Sequence, residues 1–195
     1  QASTNVNVVV NPLPTPSISG DLTICLGETT RLTATGGSQY LWNNGSTSYW
    51  IDVNPSTNTT YTVTATDGNG CQASTNVNVV VNPLPIPSIS GDLTICLGES
   101  TTLTANGGTN YVWSNGSTSS SITVNPSANT TYTVTATDGN GCQANTSVNV
   151  VVNPLPTPSI IGDLTICLGE TTRLTATGGS QYLWSDGSTS YWIDV

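Results

Sequence analysis

Five cysteines carry the most reactive side chains of the sequence, and they recur in a fixed register. Cys25, Cys96 and Cys167 follow one another at intervals of 71 residues, and Cys71 and Cys142 are separated by the same interval. The chain has no histidine and no closely spaced pair of cysteines, which a zinc site would need. Thiols at fixed positions of a repeat therefore predict disulfides, which form and persist in oxidising, extracellular compartments.

The string Asp-Gly-Asn-Gly, which occurs twice, is a second candidate for chemistry. Its polar members are Asp67, Asn69, Asp138 and Asn140. The string resembles half of a calcium loop, but the further spaced acids and the closing glutamate of a complete loop are missing. We interpret it as a tight turn made of residues that tolerate positive φ. The alternative is a weak calcium site at a domain joint that adds Glu28 or Asp92.

No group of residues in the sequence is typical of an enzyme. Histidine and lysine are absent, and most of the eleven acidic residues fall at turn positions. Catalysis needs titratable side chains that converge in a cleft. The sequence therefore predicts a protein that is not an enzyme and that has no cofactor apart from the calcium alternative.

The elements that carry these residues are copied along the chain. The string YTVTATDGNGC at 61–71 returns letter for letter at 132–142, so the chain is a tandem array. The predicted divisions are a last strand of a preceding repeat at 1–14, a first repeat at 15–85, a second at 86–156 and a partial third at 157–195. We expect the chain to be part of a longer polymer.

Composition and charge limit the partners of the array. Its formal net charge is −9, with only two basic residues, which argues against nucleic acid and anionic membrane surfaces. No apolar run approaches the roughly 20 residues of a membrane span, so this segment is not expected to enter a membrane. Strand and turn formers dominate, which predicts an all-β fold.

Each repeat alternates apolar and polar residues as strands with one buried face do. Tyr61, Val63 and Ala65 share one face of a strand, and Val77 and Val79 share a face of the final strand. The proline-rich stretch NPLPTPSISG precedes these strands and favours extended polyproline geometry. We expect this connector to hold neighbouring domains semi-rigidly.

Four residues resemble landmarks of an immunoglobulin-like domain. Trp42 takes the place of the strand-C tryptophan and Tyr61 that of the tyrosine corner, whereas Ala34 and Val63 replace the usual cystine between the sheets. The resemblance implies a sandwich with strands A, B and E on one sheet and C, F and G on the other. The predicted architecture is tandem immunoglobulin-like β-sandwiches joined by short Pro-rich linkers.

A narrower resemblance covers the whole chain. The strings ICLGETTRLTATGG, YLWNNGSTS, NTTYTVTATDGNGC and VNPLP resemble the tandem immunoglobulin-like repeats of large surface proteins in Bacteroidota. These include adhesins of gliding motility and other cargo of type IX secretion. This resemblance implies an exported protein of the cell surface or of a secreted filament.

The immunoglobulin topology also bears on how the cysteines pair. It places Cys25 beside the A–B turn and Cys71 beside the F–G turn, at opposite poles of one domain and more than ~20 Å apart. Successive domains meet pole to pole, which favours a disulfide between domains, from Cys25 to Cys142. The alternative is pairing within each domain, Cys25–Cys71 and Cys96–Cys142, as in many small secreted modules.

Four further positions change together between repeats. The first repeat has Arg31, Tyr49, Trp50 and Asp52, the second has Thr102, Ser120, Ser121 and Thr123, and the third returns to Arg173, Tyr191, Trp192 and Asp194. Arg31, Trp50 and Asp52 take outward positions on the neighbouring strands B and E. One interpretation is a local surface pairing; the other is a contact face for a glycan or for another strand of a filament.

Together these features favour a non-enzymatic, structural repeat of a long extracellular filament or adhesin stalk, rigidified by its Pro-rich joints and disulfides. Its expected partners are further copies of the repeat, with lateral self-association into a fibre, and surface glycans. The alternatives are a glycan- or partner-binding immunoglobulin-like module and a spacer in a secreted enzyme.

Overall fold

The computed structural model describes residues 3–195, which form strands and turns without any helix, so the predicted all-β fold is confirmed. No helical segment among the described residues could therefore cross a membrane. In chain order the strands are β1 Ser17–Ser19, β2 Thr23–Cys25, β3 Thr30–Thr35, β4 Gln39–Trp42, β5 Trp50–Val53, β6 Thr59–Thr66, β7 Gln72–Asn82, β8 Ser88–Ser90, β9 Thr94–Cys96, β10 Thr101–Asn106, β11 Asn110–Trp113, β12 Ser121–Val124, β13 Thr130–Thr137, β14 Gln143–Asn153, β15 Ser159–Ile161, β16 Arg173–Thr177 and β17 Trp192–Asp194.

The first repeat forms two sheets with the orders β1-β3-β5 and β2-β7-β6-β4. These are the predicted sheets A-B-E and C-F-G, and the second sheet gains β2 as an extra edge strand. Strand β2 runs parallel to β7, with Thr23 opposite Val80 and Cys25 opposite Asn82, whereas the other pairs of this repeat are antiparallel. The first strand of the sandwich is thus divided between its two sheets.

This division corrects the expected extent of the proline-rich connector. Its second half is strand β1, in which Ser17 lies opposite Thr35 and Ile18 packs against the core. The side-chain hydroxyls of Ser17 and Thr35 are hydrogen-bonded at 2.8 Å. Pairing begins directly after Pro16 because proline has no N–H to donate to a β-ladder.

The core of the first repeat lies between the two sheets. Leu32 and Ile51 come from one sheet, and Trp42, Val63 and Val79 come from the other. Alternation of side chains along each strand sends these residues inward, as expected for a half-buried sheet. The indole Nε1 of Trp42 donates a 2.9 Å hydrogen bond to the carbonyl oxygen of Ser48, so its polar end is satisfied.

Ala34 and Val63 fill the positions where immunoglobulin domains usually place a cystine. Both are buried in the core cluster, with 2% and 0% of their surface exposed. Small apolar side chains therefore close the sandwich there by packing alone, which leaves all the cysteines for other places.

The second repeat has the same strand orders, β8-β10-β12 and β9-β14-β13-β11, and the third segment forms the sheet β15-β16-β17. Leu103, Trp113, Val134 and Val150 are buried as their counterparts are in the first repeat. The parallel pairing also recurs, with Thr94 opposite Val151. Repetition of sequence therefore yields repetition of register.

Contacts divide the chain into two compact units. The first comprises the described residues through Ile89 with Ala105–Ser120 and Thr133–Ser147; the second comprises Ser90–Thr104, Ser121–Tyr132 and Val148–Val195. The first unit contains both sheets of the first repeat, and the second contains the sheet β15-β16-β17. The domain boundaries expected from the sequence period stay a prediction.

Candidate functional site

Cys25 ends β2 and begins a tight turn. The N–H of Glu28 donates to the carbonyl oxygen of Cys25 at 2.9 Å, and Gly27 in the turn has φ +90°. A positive φ at this position favours glycine, as in a type II turn. The N–H of Leu26 donates to Asn82 O at 2.9 Å and so extends the pairing with β7. Backbone bonds thus hold the cysteine at the end of a strand.

Two side chains also brace the Cys25 turn. Oε2 of Glu28 accepts a hydrogen bond from the N–H of Cys25 at 2.8 Å. Nδ2 of Asn54, just beyond the end of β5, donates to the carbonyl oxygen of Gly27 at 2.9 Å. The turn is therefore fixed both from within and from the neighbouring strand end.

Cys142 lies at the other kind of turn, the Asp-Gly-Asn-Gly string that follows β13. Oδ1 of Asp138 accepts hydrogen bonds from the N–H groups of Asn140 and Cys142, both at 2.9 Å. The N–H of Asp138 donates to Cys142 O at 2.9 Å, and Gly141 has φ +86°. The positive φ falls on glycine, while the aspartate holds the loop together.

The same geometry in the first repeat bears on the calcium alternative. Oδ1 of Asp67 accepts from the N–H of Asn69 at 2.8 Å and of Cys71 at 2.9 Å. Among the described residues no three His, Cys, Asp or Glu side chains come close enough to hold a metal ion. Oδ1 of Asp67, like Oδ1 of Asp138, already accepts hydrogen bonds from the backbone of its own turn.

A disulfide joins Cys25 of the first repeat to Cys142 of the second, with a Cα–Cα distance of 5.5 Å and a sequence separation of 117 residues. Cys142 is 1% exposed. Cys71, Cys96 and Cys167 are free thiols in the described chain.

Pairing within a repeat, the alternative of the sequence analysis, is not what the structure has. Cys25 lies opposite Asn82 at one end of β7, and Cys71 precedes Gln72 at its other end. An 11-residue strand separates its ends by about 35 Å at about 3.3 Å per residue. A disulfide requires Cα atoms within about 7 Å, so Cys25 and Cys71 cannot meet in this fold.

On the sheet β1-β3-β5, three of the residues that alternate between repeats form one surface cluster. Nε of Arg31 donates to Oδ1 of Asp52 at 2.7 Å and Nη2 to Oδ2 at 2.9 Å. The guanidinium carbon lies 4.1 Å from the centroid of a ring of Trp50. Arg31 thus makes a bidentate ion pair and a cation–π contact at once.

The ion pair changes the acidity of both groups. The hydrogen bond to Arg31 lowers the pKa of Asp52 below its ordinary value, and the same bond raises the pKa of Arg31. Both side chains are exposed, so solvent screens much of this interaction. Because both pKa shifts favour the charged forms, Arg31 and Asp52 stay charged over the physiological pH range.

The cluster recurs in the third segment and is replaced in the second repeat. Arg173 binds Asp194 at 2.8 and 3.0 Å and lies 4.0 Å from a ring centroid of Trp192. At the same place in the second repeat, the hydroxyls of Thr102 and Thr123 are 3.2 Å apart. Two kinds of surface therefore alternate on one type of sheet.

Tyr49, the fourth residue of the predicted face, takes part differently. It is 59% exposed and lines an open groove with Tyr40, Ser38 and Thr47. Tyr191 is 62% exposed and lines the equivalent groove with Tyr182, Ser180 and Thr189. The groove was missed by sequence reasoning because Tyr40 is present in every repeat, as Tyr111 and Tyr182, so alternation does not single it out.

The fold defines the class of protein: the chain is all-β, and its two complete repeats are two-sheet β-sandwiches with the same strand order. No protein-family model matches it, and no curated protein does. The solved structures to which it is similar contain immunoglobulin-like and adhesin domains.

Three of these structures illustrate the likeness. The chain is similar to three N-terminal domains of the highly immunogenic outer capsid protein of bacteriophage RB49, at 20% identity and TM-score 0.40, over 84% of this chain and 68% of that one. The chain is also similar to a Ca²⁺-stabilized adhesin that helps an Antarctic bacterium bind ice, at 16% identity and TM-score 0.44, over 87% of this chain and 58% of that one. A structure of a 1.5-MDa bacterial ice-binding adhesin is similar at 10% identity and TM-score 0.40, over 95% of this chain and 88% of that one. This likeness concerns the fold alone.

Proposed function

We propose that this chain is a non-enzymatic structural segment of an extracellular stalk or filament, in which successive sandwiches are locked together covalently. The observation that carries the proposal is the Cys25–Cys142 disulfide, because it connects consecutive repeats rather than the two sheets of one domain. A cystine inside a domain would stabilise that domain only. A cystine between repeats limits their relative motion, which is the property a stalk requires.

The start of each repeat gives a second, independent support. The backbone carbonyl of Thr15, directly after the Pro-rich stretch, lies so close to Gly36 that a Cβ on this glycine would overlap it. Ile86 and Gly107 repeat this close approach in the second repeat. The connector therefore packs onto the sandwich that follows it, and proline restricts the backbone of the few remaining residues.

The resemblance to Bacteroidota surface repeats favours a cell-surface or secreted location and an adhesin-like or gliding-motility role. A persistent disulfide agrees with an oxidising, extracellular compartment. The expected partners are further copies of the repeat. Calcium stays a weaker proposal, with Asp67, Asn69, Asp138 and Asn140 as its candidate ligands.

Small-angle scattering of the purified chain, oxidised and then reduced, tests the proposal. We expect reduction to increase the maximum dimension of the particle. It should also smooth the features of the scattering curve that a fixed arrangement of repeats produces. Cys25→Ser should behave as reduced protein under both conditions. Cys71→Ser, which removes a free thiol, is the matched control and should behave as the unchanged chain. Identical scattering before and after reduction would contradict a covalently stiffened stalk.

A second candidate function is recognition by the surface that alternates between repeats. Arg31 and Asp52 are exposed, Trp50 is half-buried beneath the guanidinium of Arg31, and the exposed Tyr49 lies beside a groove lined by hydroxyl groups. A half-buried tryptophan close to an exposed tyrosine on a polar surface favours contact with a glycan or with another strand of the filament.

Replacement of the two tryptophans by serine, the residue at this position in the second repeat, tests this second candidate. Trp50→Ser with Trp192→Ser gives every repeat the residue found at Ser121. We expect lower lateral association in sedimentation velocity experiments, or loss of binding to an array of neutral glycans. Unchanged behaviour in both assays would remove this function, while the stalk proposal would stand.

A further inference from the structure

Every cysteine of the chain has its backbone N–H bonded to a nearby carboxylate. The N–H···O distances are 2.8 Å for Cys25–Glu28, 2.9 Å for Cys96–Glu99, 3.0 Å for Cys167–Glu170, 2.9 Å for Cys71–Asp67 and 2.9 Å for Cys142–Asp138. Two different sequence contexts, Cys-x-x-Glu and Asp-x-x-x-Cys, thus lead to the same arrangement.

The arrangement does not depend on the disulfide. Only Cys25 and Cys142 are bonded to each other, yet the free Cys96 and Cys71 make the same hydrogen bonds within 0.1 Å. Their glycines also match, with φ +90° and +91° at Gly27 and Gly98. The geometry of each half of the joint is therefore present before the sulfur atoms meet.

Neither arginine of the sequence competes for these carboxylates. The two arginines of the sequence, Arg31 and Arg173, pair with Asp52 and Asp194. Glu28 and Asp138 accept from backbone N–H groups of their own turns. Glu28 and Asp138 therefore fix the geometry of their own turns and do not pair with an arginine.

From this we infer that Glu28 and Asp138 are positioning residues for the joint disulfide: they preorganise the two cysteine-bearing turns so that Cys25 pairs with Cys142. The inference rests on the proposed function of the joint. Each turn contains a glycine in the left-handed region, which without a brace leaves the cysteine backbone many conformations. Fixing both turns in advance removes this entropy cost from bond formation and raises the effective concentration of one thiol at the other.

Equilibrium with glutathione measures this effective concentration. The thiols of Cys25 and Cys142 transfer two electrons to one molecule of glutathione disulfide; the S–S bond of glutathione breaks, that of the joint forms, and the two thiol protons pass to the released glutathione. The fraction of linked protein at several glutathione ratios, read by non-reducing peptide mapping after acid quenching, gives the equilibrium constant.

We expect Glu28→Ala and Asp138→Ala each to lower this constant about tenfold, which corresponds to a potential about 30 mV less negative. Glu28→Gln, which keeps an acceptor oxygen, should restore most of the loss. The matched controls are Glu99→Ala and Asp67→Ala, since their cysteines are free and the joint constant should not move. Glu28→Asp keeps the charge but is too short to reach the N–H of Cys25. It should lower the constant as Glu28→Ala does, and it provides the test if Glu28→Ala does not fold.

Two results would overturn the inference. One is an unchanged constant in Glu28→Ala and Asp138→Ala; the other is an equal decrease in Glu99→Ala, which would indicate a general effect on stability. Either result leaves the stalk proposal intact as long as the unchanged chain forms the 25–142 bond. Absence of that bond in the unchanged chain would instead remove the proposed function itself.

Discussion

Arg31 and Asp52 lie directly opposite each other on β3 and β5, and they meet through two hydrogen bonds of 2.7 and 2.9 Å. In the second repeat the corresponding residues, Thr102 and Thr123, lie opposite each other in the same register. A charged pair and a hydroxyl pair therefore occupy the same ladder position without changing the sheet. The outward face can vary because the buried, inward face and the turns specify the register.

The first prediction concerns the acidity of Asp52. Because its hydrogen bond to Arg31 lowers the pKa of Asp52 in the folded state, we expect Arg31→Thr to return that pKa towards the ordinary value. A depressed carboxyl pKa stabilises the fold above the unfolded pKa of about 3.9, and this contribution disappears as the pH falls through the lower, folded value. The carboxyl ¹³C chemical shift of Asp52, followed across acidic pH, measures this pKa directly.

The third segment provides the control for this titration. Arg173→Thr removes the equivalent partner of Asp194, so it should raise the pKa of Asp194 and leave Asp52 unchanged. A pKa of Asp52 that does not respond to Arg31→Thr would show that the ion pair does not persist in solution.

The second prediction concerns Tyr61, whose burial against the core raises the pKa of its phenol above the ordinary value. A raised phenol pKa means that the fold gains stability below the unfolded pKa of about 10, and that this gain is lost as the pH rises through the folded value. We expect tyrosinate absorbance to contain a late-ionising component that Tyr61→Phe abolishes. If Tyr61→Phe instead removes absorbance from the component that ionises at the ordinary pH, the ring is not desolvated in solution.

The regular part of the fold could be predicted from sequence because it depends on local alternation. Leu32 and Ala34 are buried while Arg31 is exposed, as a period of two requires. The assignment of strands to sheets A-B-E and C-F-G followed from the resemblance of Trp42 and Tyr61 to landmarks of an immunoglobulin-like domain.

The division of the first strand could not be predicted in the same way. Strands β1 and β2 are each three residues long, too short to show a period, and they join different sheets. Gly20 lies between them and approaches the backbone carbonyl of Arg31, a contact from a distant part of the sequence. The groove beside Tyr49 likewise depends on Tyr40, which lies on β4 and comes from an earlier part of the repeat.

The third prediction separates backbone strain from close packing at two glycines of nearly equal φ. Gly36 has φ +88° and faces the carbonyl of Thr15, whereas Gly45 has φ +86° and open space around it. Alanine at either position is strained by about 1–2 kcal/mol. We expect Gly36→Ala to cost clearly more than Gly45→Ala in the free energy of unfolding measured with urea. Equal losses would show that the connector does not press on Gly36.

The last prediction concerns the joint disulfide itself. Linking residues 117 positions apart constrains a long loop of the unfolded chain. The chain-entropy treatment gives about 4.7 kcal/mol for a loop of about 100 residues, and measured effects are typically about 2–4 kcal/mol. We therefore expect Cys25→Ser to lower the free energy of unfolding by about 3 kcal/mol, seen as a lower urea midpoint in the fluorescence of the buried tryptophans.

Cys71→Ser is the matched control, because Cys71 occupies the same kind of turn as Cys142 but has a free thiol. It should leave the midpoint in place, and Cys142→Ser should reproduce Cys25→Ser. The double variant Cys25→Ser with Cys142→Ser should lose no more than either single variant, because the two residues act through one bond. Additive losses in the double variant would mean that each cysteine stabilises its own turn and that the bond between the repeats contributes little.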